Sequence, residues 1–178
     1  MYQEIIEFWF EEIEKSQWWV KDDAFDELIR RRFSEIHNKA IACELFSWRK
    51  TSDGALAEII VLDQFSRNMF RNSARSFAYD SLALALSQSA IERGLDSGLE
   101  TEKRSFLYMP FMHSESLVIH SVAESLFTRL GVPASLEYEK RHRTIIEKFG
   151  RYPHRNKVLG RVSTAEEKEF LLLPGSRF

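Results

Sequence analysis

Between Asp22 and Cys43 the residues Phe25, Leu28, Ile29, Phe33, Ile36, Ala40 and Cys43 recur mostly at three- and four-residue steps, the repeat of one face of an α-helix. A segment patterned in this way does not alternate as a half-buried strand does, so it predicts a long amphipathic helix capped by Asp22 or Asp23. The same rhythm runs along the rest of the chain. A first helix is expected over Tyr2 to Phe10, turning Ile5, Ile6, Trp9 and Phe10 to a core. A third follows Ser52-Asp53-Gly54 and reaches about Phe70. Its Leu56–Leu62 section is apolar on nearly all sides, which predicts a central position. A fourth covers Ser76 to Arg93 and stops at Gly94, a residue suited to the left-handed position after a helix. Leu95–Glu100 reads as a loop. The aromatic stretch ending at Tyr108-Met109-Pro110 then leads into a fifth helix over Met112 to Leu130, closed by Gly131-Val132-Pro133. Ser135 to Phe149 gives a sixth, and Ser163-Thr164-Ala165-Glu166 has the form of a capping box that opens a short seventh.

No strand stands out, and the residues that tight β-turns demand are scarce, with 7 Gly and 4 Pro among 178. Several helices of about 12–20 residues joined by short loops predict an all-α chain of stacked antiparallel helix pairs. No repeat with a fixed period of about 34 residues can be aligned, so any helical-repeat architecture is degenerate in sequence. The length fits one helical domain spanning 1–178. A net charge of −2 supplies no pull toward nucleic acid or an anionic membrane. The single cysteine, Cys43, cannot form an intramolecular disulfide, and its place on the stripe reads as a small buried apolar residue. The N-terminus is acidic and lacks the apolar run of a signal peptide, and no stretch is apolar enough to cross a bilayer. These features predict a cytoplasmic protein with neither nucleic-acid nor membrane partners.

Charge is unevenly placed: residues 1–29 hold nine acids and two bases, whereas residues 140–161 hold eight bases and one acid. More informative are polar residues on stripes that periodicity assigns to the core, because a buried polar group must find a partner. The Leu56, Ile59, Ile60 stripe continues to Asp63 and Arg67, spaced to pair, and Arg71 extends the row. On the fifth helix the stripe of Ile119, Val122, Ala123, Leu126 and Leu130 runs back through Met112 and Glu115, which turns a carboxylate inward. On the sixth, Tyr138, Ile145 and Phe149 share a stripe with His142, which turns an imidazole inward. Each admits a plain reading, a salt bridge or a satisfied core histidine. If the three sets meet, they form a network of the kind that shifts pKa values at sites.

Arg151, His154, Arg155 and Asn156 follow the sixth helix within six residues, flanked by Gly150 and Pro153. Two arginines so placed suit a carboxylate or phosphate; they would equally cap helix C-termini or pair with the acidic N-terminal region. His113, His120 and Glu124 align on a second face of the fifth helix, as a metal edge or a solvated flank. No residue set is assigned to a metal, and no cofactor is identified, since Walker, Rossmann, zincin and Gly-x-Ser-x-Gly signatures are missing.

The blocks Phe8-Trp-Phe, Trp18-Trp with Phe25-Asp26, Leu62-Asp-Gln-Phe-Ser-Arg-Asn-Met-Phe-Arg71, Phe106-Leu-Tyr-Met-Pro-Phe-Met-His-Ser-Glu115, Phe149-Gly-Arg-Tyr-Pro-His-Arg-Asn156 and Leu159-Gly-Arg-Val-Ser-Thr164 resemble, in order and over nearly the whole chain, the bacterial family called domain of unknown function 924. The resemblance implies an all-helical, tetratricopeptide-like fold and no established activity. Its motif positions fall here on Asp63, Gln64, Arg67, Asn68, Arg71, His113, Glu115, His142, Arg151, His154, Arg155 and Asn156. Ser66 stands where the family pattern implies proline.

Two functional expectations follow. In the first, a pocket for a small anionic ligand uses Arg67, Arg71, Arg151 and Arg155 to hold the anion, with Asp63, Gln64, Asn68 and Asn156 beside them. His113, His142 or His154, tuned by Glu115 or Asp63, would then transfer a proton in hydrolysis or group transfer. In the second, stacked helix pairs form a groove whose arginines clamp an acidic peptide or protein partner. A surface anion loop would let Arg155 be removed with little loss of stability, and removing Asp63 would strand a buried arginine at a cost of several kcal/mol.

Overall fold

The helical rhythm is realised along the described residues. The computed structural model describes residues 1–176, and among them no β-strand occurs. The helices are α1 (Tyr2–Glu7), α2 (Asp23–Ile41), α3 (Ser52–Ile60), α4 (Ser66–Met69), α5 (Asp80–Glu92), α6 (Thr101–Met112), α7 (Leu117–Leu130), α8 (Pro133–Phe149) and α9 (Ala165–Phe170). Two π-helical turns, Phe8–Glu12 after α1 and Val61–Phe65 between α3 and α4, continue the neighbouring helices. The chain divides into two compact units, residues 1–71 with 75–110 and residues 72–74 with 111–178.

In the first unit α1 and α5 pack on α3, and α2 packs on α4. The predicted central position of α3 is observed, with every residue from Gly54 to Ser66 buried. Gly54 is required here, because a Cβ would stand 2.1 Å from the Trp48 carbonyl oxygen. The rings of Phe8, Phe33 and Phe65 pack with centroids 4.9–6.0 Å apart, spacings at which aromatic pairs attract beyond their area burial. Asp22 caps α2 by accepting from the backbone N–H groups of Ala24 and Phe25. Cys43, expected to be buried, is exposed: α2 ends at Ile41, and Cys43 takes a left-handed turn at φ 57°. The stripe extrapolated to it ran past the end of the helix.

The aromatic stretch before Pro110 is itself helical, because α6 runs through it and forgoes one backbone bond at the proline. The fifth predicted helix accordingly starts later, at Leu117. Ser116 is extended (φ −110°, ψ 120°), and its N–H donates to Ser114 Oγ, so residues 113–116 form a turn. In the second unit α7 and α8 pack as a hairpin about Gly131, at φ 76°. Ile145, Ile146 and Tyr152 form a core with Phe149 and Phe170 against it. The capping box falls one residue later than expected. Thr164 Oγ1 accepts from the Glu167 N–H, and the Glu167 carboxylate accepts from the Thr164 N–H.

Candidate functional site

In the first unit the polar stripe is closed by carboxylate–guanidinium pairs. The π turn carries Asp63 and Gln64 inward, where both are buried, and such insertions re-aim the side chains that follow them. Arg67 Nη1 lies 2.9 Å from Asp63 Oδ1, the pair expected from the spacing, and donates to the Asp63 carbonyl oxygen at 2.7 Å. The same guanidinium grips both oxygens of Asp80 at 3.0 Å. The Gln64 amide donates to Asp63. Arg71 leaves the row and takes Asp26 in a two-bond grip, and Asn68 Nδ2 donates to Asp26 at 2.8 Å. Ser66 Oγ meets His37 Nε2 at 2.8 Å in the core. Burial, with Arg75 nearby, lowers His37 to about 4.

Sequence reasoning missed Asp26, His37 and Asp80. Asp26 and His37 carried a signal: Asp26, Ile29, Phe33, His37 and Ala40 are all buried and share one face of α2. The predicted stripe shared Phe25, Ile29, Phe33 and Ala40 with this face but took Leu28 and Ile36, which are only half-buried, and passed over the polar Asp26 and His37.

The second unit gathers a different chemistry. Four of the chain's 5 histidines fall between residues 113 and 154, and the fold sets them around Tyr152. The Tyr152 ring centroid lies 6.3 Å from that of His120, 5.7 Å from His142 and 5.5 Å from His154. His113 and His142 are 6.5 Å apart. The Arg155 guanidinium carbon sits 4.5 Å from the Tyr152 ring centroid, and Nη2 donates to the His113 carbonyl oxygen at 3.0 Å. Arg155 is 6% exposed, so it is not the readily removable surface arginine of an anion loop.

His142 is buried as its stripe predicted, while Tyr138 is exposed. The buried line of α8 runs through Glu139, His142, Ile145 and Ile146, and Tyr138 lies to one side of it. His142 Nδ1 lies 2.8 Å from the Tyr138 carbonyl oxygen. A carbonyl only accepts, so Nδ1 carries the proton and Nε2 holds the lone pair of the neutral ring. Burial pushes His142 down to about 3, and His113, His120 and His154 push it the same way.

Glu115 lies on the turn before α7, half-buried, rather than on a helical stripe. It accepts from Tyr152 N–H at 2.7 Å and from both terminal nitrogens of Arg161 at 2.7 and 2.9 Å. Burial alone would raise its pKa, but these donors hold it below the usual carboxylate range. Arg151 grips Glu167 at 2.7 and 2.9 Å, and Asn156 Nδ2 donates to Ser163 Oγ and Glu167. That pairing draws Glu167 down to about 2.

The second-face alignment of His113, His120 and Glu124 does not form, because His113 is outside α7, His120 turns inward to Glu139, and Glu124 pairs with Arg143. Among the described residues no group of three His, Cys, Asp or Glu side chains is placed to hold a metal ion. Arg161, Glu139, Tyr152 and Glu167 join the cluster unannounced by the sequence, apart from the crowding of histidines around them.

Fold and clusters define an all-helical protein with an ion-paired unit and a histidine-rich one. The chain belongs to the family described as bacterial protein of unknown function (DUF924), whose pattern matches residues 5–175, as the motif blocks implied. A solved structure of a protein of unknown function from Agrobacterium tumefaciens is 38% identical, with a TM-score of 0.91 and 96% of each chain covered. No curated protein matches the chain. No helix among the described residues is long and apolar enough to cross a membrane.

Proposed function

We propose that the second unit carries an acid–base site for a small anionic ligand, of the hydrolase or group-transfer type, with His142 as the proton acceptor. The observation that carries this reading is the placement of His142, a buried imidazole whose Nδ1 is committed to the Tyr138 carbonyl, which makes Nε2 the proton-accepting position of the ring. A base held near pKa 3 accepts a proton poorly at neutral pH. An anion bound beside it stabilises the imidazolium and lifts that value toward the working range. Base strength is thereby coupled to occupancy. Arg155 supplies the fixed positive charge within the cluster, and His113 and His154 stand beside Tyr152 and His142 as proton carriers.

The alternative, a groove clamping an acidic peptide or protein partner, depends on arginines that can accept an external carboxylate. Arg67, Arg71 and Arg151 are each gripping a carboxylate of the chain itself, which favours the acid–base reading. The test is a thermal-shift screen against phosphate, phosphorylated metabolites, dicarboxylates and acidic peptides, since a ligand that prefers the native state raises Tm by mass action. A small anion is expected to raise Tm and to move the His142 NMR titration upward. Protection by acidic peptides alone would replace this reading with the scaffold.

A further inference from the structure

Three successive carbonyl groups at the end of α6 are each held by a side chain of the second unit. Tyr152 Oη donates to Met112 O at 2.6 Å, Arg155 Nη2 donates to His113 O at 3.0 Å, and His120 Nε2 lies 2.9 Å from Ser114 O. Helix ends leave such carbonyls without intrahelical donors, so capping explains part of the arrangement. It does not explain Glu139. This carboxyl is 0% exposed, its Oε1 lies 2.7 Å from His120 Nδ1, and its Oε2 has no hydrogen-bond partner. A lone imidazole would serve as a donor to Ser114. A buried carboxyl with an unsatisfied oxygen is a costly addition; Arg143 and Glu124 act on it electrostatically, but the hydrogen bond it makes is to the far nitrogen of that ring.

What Glu139 adds is control over the His120 tautomer. One proton lies between Oε1 and Nδ1. If it rests on Glu139, His120 is neutral and Nε2 carries its hydrogen. If it rests on Nδ1, the ring is an imidazolium and Nε2 again carries a hydrogen. The state excluded in both cases is the one that would turn a lone pair toward the Ser114 carbonyl. At metal and catalytic sites an outer carboxylate accepts from one ring nitrogen and leaves a lone pair on the other; here the Ser114 carbonyl requires a hydrogen on Nε2, so the further proton lies between Nδ1 and Oε1. His120 Nε2 also lies 3.2 Å from Tyr152 Oη, so the dyad sets both the turn that carries His113 and Glu115 and the ring around which His142 and His154 are arranged.

We propose that Glu139 and His120 are positioning residues of the acid–base site, a buried proton-sharing dyad that keeps an N–H on the His113 turn and so fixes His113 and Tyr152 against His142. This inference rests on the functional reading above but can fail separately. Side-chain ¹⁵N NMR of the histidines in the unmodified protein is the deciding measurement. His120 is expected to carry a proton on Nε2 throughout a window of about pH 5.5 to 8.5, because that nitrogen faces the Ser114 carbonyl oxygen. A His120 protonated on Nδ1 alone anywhere in that window would overturn the dyad.

Glu139→Leu removes the lock at similar volume. It is expected to leave Nδ1 without its partner, loosening the ring, and to move the His113 and His142 titrations by about half a pH unit or more. Glu139→Gln, whose amide N–H can donate to Nδ1, should restore both. Unchanged His113 and His142 curves in a folded Glu139→Leu protein would also overturn the proposal. Should that variant fail to fold, the tautomer in the unmodified protein and the Glu139→Gln titrations decide. Loss of the anion-induced shift of His142 would instead count against the functional reading and leave the dyad standing.

Discussion

The two units differ in how much of their buried polar chemistry is carried by imidazoles. In the first, Asp26, Asp63 and Asp80 each meet a guanidinium, charge against charge. In the second, ion pairs such as Arg151–Glu167 and Arg161–Glu115 flank a group of imidazoles gathered around Tyr152 and Arg155, and burial drives His142 neutral and Glu139 upward toward its protonated form. A closed ion pair is strongly shaped for one geometry and has little to offer a ligand. A neutral imidazole kept from its ordinary charge state responds to whatever charge arrives, which is why the second unit carries the functional reading.

The largest expected effect breaks the first unit's ion pairing. Asp26 is the common acceptor for Arg71 and Asn68. Asp26→Ala leaves a partly buried guanidinium and an amide without it, at a cost of about 3 kcal/mol, the low end for a broken buried pair because Arg71 is partly solvated. All four Trp residues lie in residues 1–48, so denaturant unfolding followed by Trp fluorescence reads this unit alone. A loss below about 0.5 kcal/mol would show the pair to be a surface contact.

The helical class was legible because periodicity is local, and so were the central position of α3, the Asp63–Arg67 pair and the inward turn of His142. Partners distant in sequence were not. Asp26 and Arg71 stand 45 residues apart, and Glu115 and Arg161 stand 46 apart. Their meeting depends on packing that no single stripe encodes. The errors at Cys43, Glu115 and Tyr138 share a cause, since each continued a helical face past a helix end or one residue around the axis. The π turn at Val61–Phe65 gave no warning, because its insertion is a property of the backbone and not of composition.

Acid should separate the units less by size than by mechanism. The folded pKa of His142 lies below its ordinary value, so the unfolded state binds the extra proton. Its contribution to stability is complete above about pH 6.5 and falls as pH drops toward about 3. His37 in the first unit acts in the same direction, from about 6.5 to about 4. Glu167, drawn down to about 2, adds a loss that begins below about 4.5 in the second unit. Glu139, raised, acts oppositely and loses stability as pH climbs. His142→Gln is therefore expected to flatten the stability profile of the second unit between about pH 6.5 and 4, and His37→Gln that of the first. An unaltered slope in His142→Gln would mean that the ring is solvated.

A smaller effect is expected where the first unit is redundant. Asp63→Ala removes one partner of Arg67, but Asp80 still grips that guanidinium through two bonds. The sequence alone predicted a stranded arginine and a loss of several kcal/mol. The observed redundancy lowers the expectation to about 1–2 kcal/mol, chiefly the unmet Gln64 amide and the cavity. The double variant Asp63→Ala/Asp80→Ala should then lose more than the sum of the two single losses, because only the pair together leaves that guanidinium without either carboxylate. Additive losses would show that the two carboxylates act independently.

The mildest single change is expected at Gly150, and Gly54 is the contrast to it. At Gly54 the obstacle to a side chain is space, since its Cβ would strike the Trp48 carbonyl, and Gly54→Ala should force α3 outward at a cost of about 2–3 kcal/mol. At Gly150, which closes α8 beside the histidine cluster, a Cβ would meet nothing within 4 Å and the obstacle is the backbone alone, at φ 66°. Gly150→Ala should cost only about 1 kcal/mol, the strain of a left-handed residue. Gly150→Asn should recover part of that, because asparagine tolerates this region better than alanine. Read by chemical denaturation, a Gly150→Ala loss as large as that of Gly54→Ala would mean that the segment from Arg151 to Asn156 depends on that turn for its place against Glu167 and Tyr152. A small loss with unchanged His142 titration would show that the cluster is held from α7 and α8 instead.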